Sequence, residues 1–278
     1  MDTPRPMDPM WIAAVVNPAV TAVVVSALTQ HFITRRTTER IKRLESDLAT
    51  SRFDHEQASE GEARRRERVR EAVDRWGDDA FDAVKSLRRR LDNILVSGAH
   101  VALAQDCEER IAPSWSMTHS YYMNSTLYLF ARLFFMDRIL RLEIGEEVFG
   151  ARDAKDEVVS ELDRMIRELS SNRLHTGEGD RQVFRLQQQA IGEAVTQPVP
   201  AGNATAPLRC LSYVDFLARL GQSDAMLAQV IEPLRLLLCD LDIESTRGER
   251  LRGFSQALAT LQSVLEQRLA PPVSGQAS

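Results

Sequence analysis

A run of 24 residues from Met10 to Ile33 carries no Asp, Glu, Lys or Arg, and a pair of arginines, Arg35 and Arg36, follows it. As one helix rising about 1.5 Å per residue it would be about 36 Å long, enough for a hydrocarbon core of about 30 Å. Asn17 and Pro18 interrupt that reading. Proline lacks a backbone donor and kinks a continuous helix. Alternatively, Asn17 caps a helix and Pro18 fills its first position. The helix from Pro18 to Ile33 alone would then be only about 24 Å long, short for a bilayer. Trp11 and its apolar neighbours would have to extend it at the interface, with Phe32 at the other end.

Three readings compete for this run. A cleavable export signal wants positive charge before the apolar stretch and small residues after it. Here only Arg5 precedes it, beside Asp2 and Asp8, and the arginine pair follows. A helix buried in a soluble core is not usually apolar on all faces. A retained membrane anchor fits best, through Trp11, Asn17, Pro18, Phe32, Arg35 and Arg36. Arg40, Lys42 and Arg43 add further positive charge against Glu39 alone. The positive-inside rule then places the short N-terminus outside and the rest in the cytoplasm, at the cell membrane.

Residues 35–61 read as a basic juxtamembrane helical stalk. Ile41, Leu44 and Leu48 keep a three-four spacing, but the pattern fades at Phe53 and His55. That is too short a pattern to establish a coiled coil. A clearer amphipathic helix follows through Val69, Val73, Trp76, Ala80, Val84, Leu87, Leu91 and Leu95, stopping near Gly98. Its knots, Arg64 to Arg66 and Arg88 to Arg90, are interleaved with acids and read as solvated faces.

The segment His119 to Ile144 is rich in aromatics and apolar on nearly every side. Arg132, Asp137, Arg138 and Arg141 leave too few uncharged residues for a second span. It therefore reads as the central buried helix. Its polar groups need partners if buried, and His119, Tyr122, Asn124, Tyr128 and Arg132 are candidates to line a pocket. Further helices are expected over Asp153 to Leu169, through Val183 to Ala194, and from Asp224 with a break or kink at Pro233. Ser212 and Asp215 stand at capping-box spacing. A last helix carries Leu251, Phe254, Leu258, Leu261, Leu265 and Leu269. The stretch from Thr196 to Pro207 reads as loop, and no run demands a strand.

"NSTLYLFARLFF", "FRLQQQAIGE" and "LSYVDFLARL" resemble segments of uncharacterised bacterial proteins with an N-terminal anchor and a helical cytoplasmic domain. The resemblance implies that architecture from about Glu62 onward. It implies no activity and no site residues.

No chemistry-bearing motif emerges. The chain has no phosphate-binding glycine loop, no HExxH and no nucleophile elbow. Its three cysteines, Cys107, Cys210 and Cys239, are far apart, which argues against a disulfide framework or a zinc site. Glu143 and Glu147 lie one turn apart, without the Glu-x-x-His pairs of a di-iron bundle. No cofactor or metal is expected. A net charge of -5 does not suit a general nucleic-acid binder.

The expected fold is all-α, with a transmembrane helix, a helical stalk and an antiparallel helical bundle. The expected organisation is a tail (1–9), an anchor (10–34), the stalk (35–61), a cytoplasmic helical domain (62–270) and a disordered tail (271–278). The expected function is that of an interaction or scaffolding module. Its partners would be the lipid bilayer and either a protein or a second copy. The rival readings are a membrane-tethered enzyme or ligand sensor with a pocket at residues 119–132, and a soluble helical protein whose first helix is buried.

Overall fold

The computed structural model describes residues 18–105, 118–145, 148–149, 156–172, 181–198, 208–222 and 226–270. Trp11, Asn17, Cys107 and Glu147, like the tails 1–9 and 271–278, lie outside them. The chain is helical almost throughout the described residues. Helix α1 runs Pro18–Leu95, and a 3-10 turn follows at Ala99–Leu103. Then come α2 (His119–Ile144), α3 (Glu157–Ser170) and α4 (Arg185–Ala194). Two short strands, β1 (Thr196–Pro198) and β2 (Leu208–Cys210), precede α5 (Tyr213–Leu220), α6 (Met226–Leu238) and α7 (Thr246–Leu269). No helix among the described residues is long and apolar enough to cross a membrane.

Two compact units divide the chain between Ala63 and Arg64. Within the first, α1 is exposed at every position from Thr34 to Glu60. Ile41, Leu44, Leu48 and Phe53 are among the large apolar side chains left in solvent.

The second unit holds the core. The later part of α1 buries Val69, Val73, Ala80, Val84, Leu87 and Leu91, as their spacing predicts, together with Ala72, Ala83 and Ile94. Trp76 and Leu95 pack at its margin. The helix ends before Gly98, whose φ of 77° suits a residue without a Cβ. The knot at Arg88 to Arg90 is not a uniform solvated face. Only Arg89 is exposed; Arg88 and Arg90 are half-buried and bonded to other helices.

Helix α2 is buried on nearly all sides, with Phe130, Phe134 and Leu140 among its inaccessible residues. It packs against α4, and α3 packs against α7. The first pair approaches closely because Gly192 of α4 has no side chain. A Cβ there would lie 2.6 Å from the Phe134 carbonyl oxygen.

Helix starts follow their caps. Thr118 accepts from Tyr121 N, Asp156 from Val158 N and Ser245 from Gly248 N. At α5, Ser212 accepts from Asp215 N and donates to the Asp215 carboxylate at 2.7 Å. Two local expectations differ from the structure. The stretch after α4 is not all loop, since Thr196 pairs with Cys210 and Pro198 with Leu208 in an antiparallel ladder. Three-residue strands are too short to show alternation, and this pairing is set by chain segments far apart in sequence. Of the break or kink expected at Pro233, the break is absent, since α6 continues through it.

Candidate functional site

The polar content of α2 is mostly answered by one arginine of α1. Arg90 Nη1 donates to Ser125 Oγ at 3.1 Å, Thr126 Oγ1 at 3.2 Å and the Tyr122 carbonyl at 3.4 Å. Both hydroxyls donate in turn to that same carbonyl. The guanidinium also lies over the Tyr122 ring, 4.3 Å from its centroid, a cation–π contact. Burial pushes the Tyr122 phenol pKa up, and the charge and hydrogen bond of Arg90 oppose that. Both Tyr122 and the basic knot that holds Arg90 stand out in the sequence, but not their meeting, because 32 residues separate them on different helices.

The five candidate pocket residues do not share one cavity. His119 Nδ1 lies 3.1 Å from the Ala102 carbonyl oxygen, a contact that places the ring proton on Nδ1. Asn124 donates to Ser120 Oγ at 3.4 Å and borders a depression of about 340 Å³ shared with α5 and α6. Tyr122 is buried under Arg90. Tyr128 and Arg132, one turn apart on α2, line a different cleft of about 360 Å³.

That cleft is closed by Trp76 and Asp79 of α1, Phe135 and Met136 of α2, and residues 208–212 with Asp215. Tyr128 donates its hydroxyl to the Leu211 carbonyl at 2.8 Å, tying α2 to the segment after β2. Burial raises the Tyr128 pKa, the neighbouring Cys210 adds to the rise, and Arg132 opposes it. Cys210 is pushed up to about 11, again chiefly by burial, with Arg132 opposing. Its thiol is therefore protonated at neutral pH and a poor nucleophile. Burial likewise raises Cys239. Asp215 is engaged with Ser212. Among the described residues neither Arg132 nor Arg209 makes an ion pair within the chain, and both line the cleft together with the carboxylates of Asp79 and Asp215.

The remaining charges of α2 serve packing. Arg141 donates through Nε to both Asp137 oxygens, at 2.9 and 3.0 Å, and reaches Asp163 at 3.4 Å. Its guanidinium covers the Phe149 ring at 4.0 Å. Glu143 pairs with Arg75 at 2.9 Å. Arg250 is buried and donates to the Ser171 carbonyl at 2.7 Å. Among the described residues no group of His, Cys, Asp and Glu is arranged to hold a metal ion. Arg132 acts on Cys210 and Arg235 on Cys239, but burial outweighs both cations and raises each thiol.

On the anchor side, Arg35 and Arg36 are exposed, and Arg35 pairs with Glu39 at 3.3 Å within its own helix. Pro18 opens α1. No family model, no curated protein and no solved structure matches the chain.

Proposed function

We propose that the chain is a membrane-tethered helical interaction module. On this reading residues 10–34 enter the bilayer, residues 35–61 form a stalk, and the domain beyond is an antiparallel helical bundle on the cytoplasmic side. The observation that carries it is the uncharged run of Met10 to Ile33 followed at once by Arg35, Arg36, Arg40, Lys42 and Arg43, all exposed. Such a cluster orients a span and suits anionic head groups. The tether needs residues 10–17 as well as the helix from Pro18, because the latter alone is too short.

The test is fractionation of the full chain. It stays with membranes after high-salt and carbonate washing, and deletion of residues 10–33 releases it. External protease leaves the domain beyond residue 61 intact in sealed cells. Full release of the intact chain by carbonate would overturn the tether.

A second reading has one observation in its favour. Arg132, which has no hydrogen bond or ion pair among the described residues, borders with Arg209 a cleft that also holds Trp76, Tyr128 and Asp79, and two arginines together suit a small anionic ligand. Inorganic phosphate and acetate are the first probes. Either should raise the melting temperature of the parent chain and leave Arg132→Gln unmoved.

A further inference from the structure

We infer that the exposed part of α1 pairs with a second copy of this chain as a parallel, in-register, two-stranded coiled coil over residues 34–55. Ile41, Leu44 and Leu48 stand at 49%, 61% and 58% exposure, although three apolar residues spaced by three and four form one stripe on a helix. They take heptad positions a, d and a. The register extends back to Thr34 and Thr37 at a and d. The Thr34 hydroxyl is already donated to the Gln30 carbonyl at 2.7 Å, so its methyl group is free to pack.

The charges beside the stripe choose the occupant. In this register Arg40 and Asp47 fall at g, and Glu45 and Arg52 at e. A parallel dimer brings each g residue against the e residue five positions on in the partner. Arg40 then meets Glu45 and Asp47 meets Arg52, so both pairs are of opposite sign and each occurs twice. An antiparallel dimer would set g against g and e against e, and aligned about Leu44 it faces Arg40 with Asp47. The two orientations thus both satisfy some charges. The parallel one also stacks a on a and d on d, placing Leu44 against Leu44, and it lets both copies leave one membrane in the same direction. Among the described residues Arg40, Glu45, Asp47 and Arg52 have no ion pair within the chain, so all four are available.

Three apolar layers are too few to hold two helices at low concentration in water. Confinement to one bilayer supplies the missing effective concentration. The strength of pairing therefore rests on the tether proposed above, whereas the register does not.

The test is disulfide cross-linking of the full chain in its membrane, with Cys107, Cys210 and Cys239 replaced by Ala. Ile41→Cys and Leu48→Cys should each form a homodimer, and Ser46→Cys, on the outer face at position f, several-fold less. Arg40→Glu should cut cross-linking through Leu48→Cys roughly fivefold, and adding Glu45→Arg should restore it. Cross-linking only between mixed Ile41→Cys and Leu44→Cys copies, an a position against a d, would mean an antiparallel pair and overturn the proposal. Equal cross-linking at residues 41, 46 and 48 would mean collision without a register and would overturn it too. The same variants in carbonate-washed fractions separate the two claims. A chain that leaves the membrane yet cross-links at residues 41 and 48 when concentrated keeps the pairing and loses the tether.

Discussion

The guanidinium of Arg90 lies over the ring of Tyr122 at 4.3 Å while its Nη1 bonds the hydroxyls one turn further along the same helix. One side chain of α1 thereby answers most of the polar surface that α2 carries into the core. Removing it leaves Ser125 and Thr126 buried with only their own helix to bond. Arg90→Leu should cost about 2 kcal/mol, seen as a lower midpoint in urea unfolding. Arg90→Lys should recover less than half of that, because an ammonium that reaches the two hydroxyls has no planar face to lay over the Tyr122 ring.

Arg141 is held by Asp137 at both carboxylate oxygens, and both residues are buried. Truncating one partner strands the other. Asp137→Ala should therefore destabilise by about 3 kcal/mol or more, even though Asp163 remains nearby. Replacing the pair together, Asp137→Leu with Arg141→Met, should cost less than the single change. Denaturant melts of the two variants give the comparison, and a double variant worse than Asp137→Ala would show that the pair itself is strongly stabilising.

Two glycines on helices should answer the same substitution with opposite signs. At Gly192 a Cβ would meet the Phe134 backbone on α2 at 2.6 and 2.9 Å, so α2 and α4 must separate. Gly192→Ala should lower stability by about 2 kcal/mol. At Gly61 nothing lies within 4 Å, and alanine should favour the helix by up to about 1 kcal/mol. Thermal unfolding reads the first, and far-ultraviolet dichroism near the melting point reads the second.

Much of the helical frame is legible along the chain. The buried stripe from Val69 to Leu91 and the all-round burial of α2 both follow from spacing, as does the Ser212 cap. What spacing does not disclose is who meets whom. Arg90 reads as part of a basic knot until α2 is laid beside it, and nothing near Gly192 in the sequence marks it as the point where Phe134 approaches. The candidate pocket shows the same limit. His119, Tyr122, Asn124, Tyr128 and Arg132 are close in sequence, yet a helix turns them toward different neighbours, and only Tyr128 and Arg132 border the same cleft. Trp76, which closes that cleft, reads in sequence only as one more apolar position. The strand pair Thr196–Pro198 and Leu208–Cys210 is hidden for a similar reason, since neither half has enough residues to signal without the other.

Cys210 links the cleft to pH. Its thiol titrates at about 11 in the fold against an ordinary 9.0, and burial is the main cause. The folded state therefore keeps this proton over a range in which the unfolded chain releases it. A group with a raised folded pKa contributes stability that is fully present below the unfolded value and is lost as pH rises toward the folded one. Stability should fall between about pH 9 and pH 11, and Cys210→Ala should flatten that part of the curve. Melting temperatures taken at half-unit steps from pH 8 to pH 11 give the slope for both chains. Alkylation provides a second readout: in the folded chain Cys210 should react slowly with iodoacetamide at pH 8, and far faster once urea exposes it. An equal slope in the parent and in Cys210→Ala, or a fast folded-state reaction at pH 8, would place this thiol in water rather than against Arg132 and Tyr128.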